Sequence, residues 1–450
     1  MSWVEQEFET INLGDERLNR RAVQLAERLG QKPCASIPAA CENWVETAAA
    51  YRFLRNDEVS WQAVMAEHEL ATQMRIREHV VVLCLQDTTK LGYNGQKIEA
   101  LGPLSYEAQR GLYLHPTYVI TPERELLGVI NAWTWARELK TGVTTRVGVL
   151  EGVRWVVSYE RVASQALELL DTRHVCIGDR ESDILALMLK AHELDYAADY
   201  LVRCQYNRAQ PEGGKWWERV MNREPLGLVN FEMPGGRGCK ARQVRQQVRQ
   251  ERVCLSDGKK CHIEVTCLIA SEIDAPAGVK PVPWRLLNNR VSTTLEEACE
   301  LIDWYRARWE IELFFLVLKE GCRVERLQLG DSERLQTVLA LYIVIAWRIN
   351  RLMRLGRTLP DLPADLLFEP EEWRAAFILN KKPVPRQVTP LSTVVRLIAQ
   401  RGGLARPKAR WGAGRKNHLA WYAGDRLFRR GCPLCSSTQH DLCVMEWVYL

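Results

Sequence analysis

The spacing of apolar residues predicts helices in the first part of the chain. After Asp15, a residue type that caps helices, apolar side chains recur every three or four positions. These positions are Leu18, Ala22, Leu25 and Leu29. A second helical stretch covers residues 46–55. The pattern therefore predicts a helical domain over residues 1–75.

The apolar pattern then changes to short β-branched runs, which are typical of buried strands. The predicted strands cover residues 80–85, 112–121, 126–135 and 174–178. The first of them ends at Gln86–Asp87, and the last runs directly into Asp179. A helix is predicted between them at residues 159–170. Strands combined with helices in this order predict an α/β fold with a mixed sheet.

Three further segments follow. Residues 206–295 are β-rich and interrupted by Gly and Pro, and long helices are predicted at 294–320 and 332–353. Six prolines between residues 360 and 390 predict short helices joined by loops. The sequence therefore predicts a core over 76–355 that contains the β-rich segment, a short helical region over 356–405, and a distinct tail over 406–450.

Composition excludes a disordered or membrane-spanning chain. Of 450 residues, 47% are apolar and 26% charged, which is enough for a sizeable core and about three domains. The longest apolar run, residues 338–347, is shorter than the roughly 20 residues that a membrane span needs. No signal peptide is recognisable, so a cytoplasmic protein is expected. The net charge of +5 is only a weak indication of an anionic partner, since residues 401–430 alone carry +8.

Two aspartates stand at the ends of predicted strands. Asp87 follows the run VVVLCLQ, and Asp179 follows HVCIG and opens the run DRESD. A carboxylate at a strand end is held by a rigid sheet and still reaches a cleft, which suits a metal ligand. Aspartate is also common in turns, so either residue alone has an ordinary structural explanation.

A group of polar residues within the helix predicted at 294–320 is more specific. The spacing Y-x2-R-x3-E-x6-K places four side chains within a sector of roughly 60° on an ideal helix. They are Tyr305, Arg308, Glu312 and Lys319. The neighbouring positions are mostly aromatic or aliphatic, which predicts a largely buried helix. A buried carboxylate and a buried guanidinium need partners.

These residues, together with QDTT and DRESD, resemble the bacterial DDE transposases of the insertion-sequence-four family, transposon-five subgroup. The similarity covers about residues 3–405 and includes the stretches LGDERLNRRA and AAAYRFLRN. It implies a ribonuclease-H-like catalytic core with a β-rich insertion, an α-helical DNA-binding domain before it and a short helical C-terminal region after it. Matched position by position, it implies that Asp87, Asp179 and Glu312 form the catalytic, metal-binding triad.

The resemblance also implies cofactors, partners and further contacts. Two Mg²⁺ or Mn²⁺ ions per active site are expected, because oxygen-only ligands favour these ions. The DNA partners would be the terminal inverted repeats of a transposon and a target. Tyr305, Arg308 and Lys319 would contact phosphates, and Trp284 would stack on a flipped base. Arg203 matches an arginine beside the hairpin intermediate, although a structural ion pair explains it equally well.

Arginines elsewhere are candidates for DNA-backbone contacts. Arg20 and Arg21 lie on the first predicted helix, and a run at residues 237–252 has six basic residues against one acidic and includes Arg242 and Arg245. Alternatively, the first group is the solvated face of a helical bundle, and the second is a strand edge protected by charge.

The tail differs from the family after about residue 405. Read one nucleotide out of frame with permissible codons, residues 409–423 yield a family-like RDGEPGVKTIWLGMQ, so we interpret residues 406–450 as an out-of-frame reading. The tail contains a C-x2-C-x4-H-x2-C pattern at Cys432, Cys435, His440 and Cys443. Its last spacing is short for zinc, and an out-of-frame segment has no reason to encode a site, so zinc binding is not expected.

Three functions follow from these patterns. The first is a cut-and-paste DNA transposase, active at the bacterial nucleoid as a homodimer on paired ends, with the dimer put in question by the divergent tail. The second is a DNA-binding regulator with an intact triad that cannot bring two ends together. The third is a nuclease or resolvase, against which the N-terminal similarity and Trp284 argue.

Overall fold

The structure is a computed structural model that describes residues 2–106, 108–138, 152–210, 213–233, 241–256, 261–279 and 281–401. Two sequence predictions lie outside these residues. They are the beginning of the basic run at 237–240 and the tail at 406–450, including its Cys and His residues.

The described residues form eleven strands. They are β1 (Val81–Gln86), β2 (Thr89–Gly92), β3 (Gly102–Pro103), β4 (Arg110–Ile120), β5 (Leu126–Trp135), β6 (Arg173–Gly178), β7 (Asp199–Arg203), β8 (Gly227–Met233), β9 (Arg242–Ser256), β10 (Cys261–Ile273) and β11 (Pro283–Asn288). The strands predicted at 80–85, 112–121, 126–135 and 174–178 therefore correspond to β1, β4, β5 and β6.

The described part of the chain also contains thirteen α-helices. They are α1 (Trp3–Glu7), α2 (Glu16–Gln31), α3 (Ile37–Ala40), α4 (Trp44–Phe53), α5 (Trp61–Ile76), α6 (Val153–Glu168), α7 (Leu185–Glu193), α8 (Trp216–Met221), α9 (Leu295–Arg306), α10 (Trp309–Leu316), α11 (Ser332–Thr358), α12 (Pro370–Leu379) and α13 (Leu391–Arg401). Asp15 caps α2 by accepting the Arg17 N–H, as its position predicted. No helix among the described residues is long and apolar enough to cross a membrane.

The chain divides into two compact units, which are described separately. The described residues of unit 1 lie within 2–154 and 309–401. At its centre β4 pairs antiparallel with β1 and β2 along one side and with β5 and β3 along the other. The long helix α11 packs on β5 and α5, where Trp347 Nε1 donates a hydrogen bond of 3.1 Å to the Leu126 carbonyl. The core of this unit lies between the sheet and α11, since α11 has an almost continuous buried run.

The described residues of unit 2 lie within Trp155–Arg308. Its strands follow the order β6-β7-β11-β10-β9-β8, in which β6 and β7 are parallel and the other pairs antiparallel. The predicted β-rich segment is continuous with this sheet, because β11 pairs directly with β7. Tyr159 of α6 donates a hydrogen bond of 2.6 Å to the Ala198 carbonyl before β7, which holds the helix against the sheet. The predicted order of N-terminal helices, a mixed α/β core and C-terminal helices is confirmed.

The prediction of one helix over residues 294–320 is wrong. Thr294 caps α9, but a tight turn at Ala307–Arg308 separates α9 from α10, and a π-helical segment (Val317–Gly321) follows. The Arg308 N–H donates to the Tyr305 carbonyl at 3.1 Å, three residues back, instead of four. The turn has ordinary helical residues, so the apolar pattern gave no sign of it. The 60° sector calculated for an ideal helix consequently does not apply across the turn.

A buried ionic group connects α1 to α5 and β5 in unit 1. His68 Nδ1 lies 2.5 Å from Glu7 Oε1, while His68 Nε2 accepts the Val129 N–H at 3.0 Å. This arrangement places the ring proton on Nδ1, which donates to Glu7. Arg75 donates to both Glu7 oxygens at 3.0 Å. Burial raises the pKa of Glu7, but His68 and Arg75 outweigh it and lower this pKa to about 2.

Glu7 is therefore expected to make unit 1 sensitive to acid. A carboxylate with a depressed pKa stabilises the fold above its unfolded pKa, and this contribution is lost as the pH falls towards the folded value. The pKa difference from the ordinary 4.5 to about 2 corresponds to about 3 kcal/mol of unfolding free energy. Urea unfolding of wild type and Glu7→Gln should differ by about this amount at pH 7 and converge between pH 4.5 and 2.

The exposed Glu9 provides a matched control. Glu9→Gln should unfold like the wild type at every pH in this series. A stability difference between wild type and Glu7→Gln that stays constant down to pH 2 would contradict the depressed pKa of Glu7.

Candidate active site

Asp87 lies at a break between two strands in unit 1. The pairs Gln86–Thr117 and Thr89–Leu114 keep one register on both sides of the break, so Asp87 and Thr88 stand opposite Pro116 and His115. Proline has no backbone N–H and cannot donate to a neighbouring strand at this point. Pairing with β4 is interrupted at Asp87 and Thr88, and Asp87 is half-buried there.

The break is held by side chains that sequence analysis did not identify. The Thr88 N–H donates to Asp87 Oδ1 at 2.7 Å, and a hydrogen bond of 2.9 Å joins Thr88 Oγ1 to His115 Nδ1. Arg154 Nε donates to the same hydroxyl at 3.0 Å. The only signal in the sequence was the His-Pro pair inside a predicted strand. Its meaning depends on the register with β1 and β2.

Glu312 reaches this unit on α10. Phe314, two residues further along, stacks on Tyr118 of β4 with ring centroids 4.8 Å apart. That contact fixes α10 on the strand that pairs with β1. Glu312 itself is half-buried.

Lys319 lies on the π-helical segment after α10. Burial lowers the pKa of Lys319, and Glu325 and Glu312 oppose this decrease. The Glu325 carboxylate also accepts the Gly92 N–H of β2 at 2.7 Å. Glu325 therefore connects the electrostatic surroundings of Lys319 to β2, the strand that follows the Asp87 break.

Asp179 is the first residue after β6 in unit 2. Its Oδ1 accepts the Glu181 N–H at 2.8 Å, which caps the short 3-10 turn Arg180–Ser182. Ser182 Oγ donates to the Asp179 carbonyl at 2.6 Å. Gly178 precedes it, and a Cβ there would meet Ser182 Oγ at 2.3 Å, so the close approach of this turn requires glycine. Asp179 is half-buried.

The second aspartate of DRESD has a different environment. Asp183 is buried, and its Oδ1 lies 2.7 Å from Arg208 Nη1. Its Oδ2 accepts the N–H groups of Gln205 and Tyr206 at 2.7 and 3.1 Å. Asp183 thus fastens the loop after β7 to the turn after β6, a role that sequence analysis missed because all three partners are over 20 residues away.

Several predicted side chains lie at one edge of the unit 2 sheet. Because β6 and β7 are parallel, with Gly178 paired to Val202, Asp179 and Arg203 leave their strands at the same edge. Trp284, the second residue of β11, lies at this edge, since β11 is antiparallel to β7 and Leu286 pairs with Arg203. Trp284 packs edge-on against Tyr305, with centroids 5.6 Å apart. Arg203, Trp284 and Tyr305 are buried, and so is Arg308 after α9.

The basic residues of β9 face acidic partners on neighbouring chain segments. Arg242 Nη2 donates to Glu272 Oε2 at 2.8 Å, and Arg245 Nη1 lies 3.3 Å from Asp274. Their role in DNA binding stays a prediction, and phosphates would compete with these carboxylates. The alternative of a charged strand edge is wrong, because β9 lies between β8 and β10.

The N-terminal arginines lie on α2. Arg20 is exposed, with its Nε 3.7 Å from Glu16. Arg21 is half-buried and donates to Gln24 Oε1 at 2.7 Å. Both remain predicted DNA contacts, of which Arg20 has the more accessible guanidinium.

The donor chemistry of the candidate ligands fits a hard divalent cation. Asp87, Asp179 and Glu312 offer carboxylate oxygens, and each is half-buried, so each retains access to solvent. Such donors suit Mg²⁺ or Mn²⁺ better than Zn²⁺. Within either unit taken by itself, the described residues include no group of three His, Cys, Asp or Glu side chains placed to hold a metal.

Three family models match the chain. A model described as Transposase DNA-binding matches residues 1–59, and one described as Transposase DDE domain matches residues 157–348. A third model, Transposase Tn5 dimerisation domain, matches residues 344–426. It thus extends beyond residue 405, the predicted end of the similarity to the family. Together the three matches cover well over half of the chain.

One solved structure is also similar, a piggyBac transposase synaptic complex with hairpin DNA studied by cryo-EM. It shares 10% sequence identity, with a TM-score of 0.37, over 97% of this chain and 87% of that chain. At these values the likeness adds nothing to the assignment.

Proposed function

This chain belongs to the Tn5-like DDE transposases, and we propose that it performs cut-and-paste transposition with Asp87, Asp179 and Glu312 as its catalytic carboxylates. It is a DNA transposase that depends on divalent metal ions. The observation that supports the proposed triad is the placement of its aspartates. Each directly follows the last residue of a buried strand, and Glu312 lies on a helix packed against β4.

The three carboxylates would hold two Mg²⁺ or Mn²⁺ ions at the scissile phosphate. Divalent ions held by these carboxylates would supply activation of a water or 3′-hydroxyl nucleophile and charge stabilisation of the leaving oxygen. Asp87 and Asp179 contribute rigidity, because sheet and capping contacts restrict the rotation of each carboxylate. Since one site accepts either nucleophile, the same carboxylates serve end cleavage, hairpin opening and strand transfer.

The cationic residues near Glu312 would bind the DNA backbone at the cut. Lys319 lies beside Glu312 and presents an ammonium to the same phosphate region. Arg308 and Tyr305 would position the strand, and Arg203 would act beside the hairpin. On the flanking DNA, Arg20, Arg21, Arg242 and Arg245 are the proposed contacts.

Trp284 is the proposed platform for a flipped base. Its ring is buried against Tyr305, so stacking requires one face to become accessible when DNA binds. Base–aromatic stacking is worth about 1–3 kcal/mol, and Trp284→Ala should therefore slow hairpin formation by about 5- to 150-fold. Trp284→Phe, which retains an aromatic face, should be affected less. The rate is measured in single-turnover assays on pre-nicked end DNA.

A fluorescent base analogue gives an independent test of the same role. With 2-aminopurine at the flipped position, stacking on Trp284 should quench its emission relative to the Trp284→Ala complex. Equal emission in both complexes, together with unchanged hairpin formation, would assign Trp284 to the core alone.

Family models support DNA binding and dimerisation. We propose that the functional species is a homodimer that pairs two terminal inverted repeats and inserts them into target DNA at the bacterial nucleoid. The out-of-frame interpretation of residues 406–450 stays a prediction, and the nucleotide sequence of the gene tests it directly. No observation favours a regulator that cannot synapse.

Strand transfer is the experiment that separates this function from its rivals. Purified protein is incubated with a pre-cut transposon end, a supercoiled target plasmid and Mg²⁺, and joined products are resolved on a gel. A transposase joins the 3′-hydroxyl to the target, whereas a nuclease only degrades DNA. Binding of the end without either product would instead favour the regulator.

A further inference from the structure

Three residues around Asp87 form a connected group outside the proposed triad. They are Thr88, which follows Asp87, its cross-strand neighbour His115 on β4, and Arg154, which lies in the first turn of α6. His115 and Arg154 are buried. They lie 27 and 66 positions from Thr88 in sequence, yet both bind its hydroxyl.

The contacts run in a chain that ends on the carboxylate. His115 and Arg154 fix the Thr88 side chain from two directions, at 2.9 and 3.0 Å. The Thr88 backbone N–H then donates to Asp87 Oδ1 at 2.7 Å. His115 also hydrogen-bonds the Asp87 backbone. The peptide group between Asp87 and Thr88 is therefore held from both sides. This fixes the orientation of the Asp87 carboxylate.

Each outer member of the chain is itself anchored. His115 belongs to the central strand of the unit 1 sheet, paired with Trp133 of β5. The Arg154 guanidinium lies over the Trp135 ring, 5.4 Å from its centroid. Burial, with Arg154 as the next cause, lowers the pKa of His115 to about 3, so the ring is neutral at pH 7 and acts through hydrogen bonds.

We propose that Thr88, His115 and Arg154 are positioning residues that hold the Asp87 carboxylate in its metal-binding orientation. Groups that orient a ligand commonly change metal affinity by about 10- to 100-fold when they are removed. Asp87 lies where the strand pairing is interrupted, so the backbone alone does not set the direction of its side chain. Its orientation therefore depends on these contacts more than that of a metal ligand inside a regular strand would.

This inference rests on the proposed triad of metal ligands, so the test measures Mn²⁺ binding directly. Full-length protein is bound to a pre-cut end with a dideoxy 3′-terminus, which prevents reaction, and Mn²⁺ is titrated by electron paramagnetic resonance. Thr88→Val keeps the branched shape and removes the hydroxyl, and should weaken Mn²⁺ binding about 10-fold or more. Thr88→Ser restores the hydroxyl and should bind Mn²⁺ within about 3-fold of the wild type.

Two further variants keep the test decisive. His115→Gln removes the ring from the opposite side and should weaken Mn²⁺ binding in the same direction, even where Thr88→Val fails to fold. Thr337→Val is the matched control, a buried threonine whose hydroxyl bonds only to the Glu333 carbonyl of its own helix at 3.1 Å. It should leave the Mn²⁺ affinity unchanged. Metal-free end binding and the unfolding temperature are recorded for every variant.

The outcomes distinguish the two proposals. If Asp87→Asn binds Mn²⁺ like the wild type, the proposed triad fails. If Asp87→Asn loses Mn²⁺ while Thr88→Val and His115→Gln keep wild-type affinity, the triad stands and the positioning role is overturned. A lower unfolding temperature with unchanged Mn²⁺ affinity likewise assigns the three residues to stability alone.

Discussion

Replacing Asp87 by asparagine is expected to abolish cleavage of transposon-end DNA in Mg²⁺ while the protein still binds the end. The substitution keeps the size of the side chain and the acceptor for the Thr88 N–H, but removes the negative charge that holds a divalent ion. Loss of metal stabilisation in the transition state amounts to several kcal/mol. A loss of about 4 kcal/mol lowers the rate about 10³-fold. Single-turnover cleavage and an electrophoretic binding assay measure the two effects.

The other members of the proposed triad should behave alike. Asp179→Asn and Glu312→Gln are expected to reduce cleavage to a similar extent, because each would remove one carboxylate from the proposed metal site. Asp171→Asn, at an exposed carboxylate just before β6, provides the control and should cleave normally. An Asp87→Asn protein that cut end DNA at a rate near the wild type in Mg²⁺ would remove Asp87 from the active site.

The second large effect is expected at Asp183. Arg208→Ala leaves the Asp183 carboxylate buried without its cation, and Asp183→Ala leaves the Arg208 guanidinium and two backbone N–H groups without their acceptor. Breaking one side of a buried ion pair costs about 3–5 kcal/mol. Both variants should therefore unfold at markedly lower urea concentration than the wild type, as followed by tryptophan fluorescence.

A double-mutant cycle separates the pair from the rest of the loop. If the two side chains stabilise each other, Asp183→Ala combined with Arg208→Ala should cost less than the sum of the single effects. Amide exchange at Gln205 and Tyr206 should accelerate whenever Asp183 is replaced, because its Oδ2 accepts both N–H groups. Strict additivity of the two substitutions would show that the ion pair itself contributes nothing.

The positions of the two aspartates could be predicted from local pattern alone. Val81–Gln86 and Arg173–Gly178 are short apolar strands, and a polar residue directly after such a strand must leave the sheet. The chemistry at those ends, carboxylates suited to divalent ions, followed from residue type. Glu312 was identified by its spacing from Tyr305 and Arg308, which needs no knowledge of the tertiary structure.

The geometry around Glu312 could not be predicted in the same way. Helical spacing suggested one continuous face, but the Ala307–Arg308 turn and the π-helical segment Val317–Gly321 change the angle between successive side chains. The Ala307–Arg308 turn contains neither proline nor glycine, so apolar periodicity continues through it. Glu325, which together with Glu312 opposes the lowering of the Lys319 pKa, also accepts the Gly92 N–H of β2, a contact between distant parts of the chain.

Local sequence therefore determined the strands and helices, the strand-end carboxylates and the polar residues of the Y-R-E-K spacing, because periodicity and residue chemistry act over a few positions. Tertiary structure alone decided which side chains support them. His115 and Arg154 meet at Thr88, Arg208 meets Asp183, and Arg242 meets Glu272, only after strands pair in one register. Hydrogen bonds and ion pairs need groups within about 3 Å, and no local pattern specifies which distant residue arrives there.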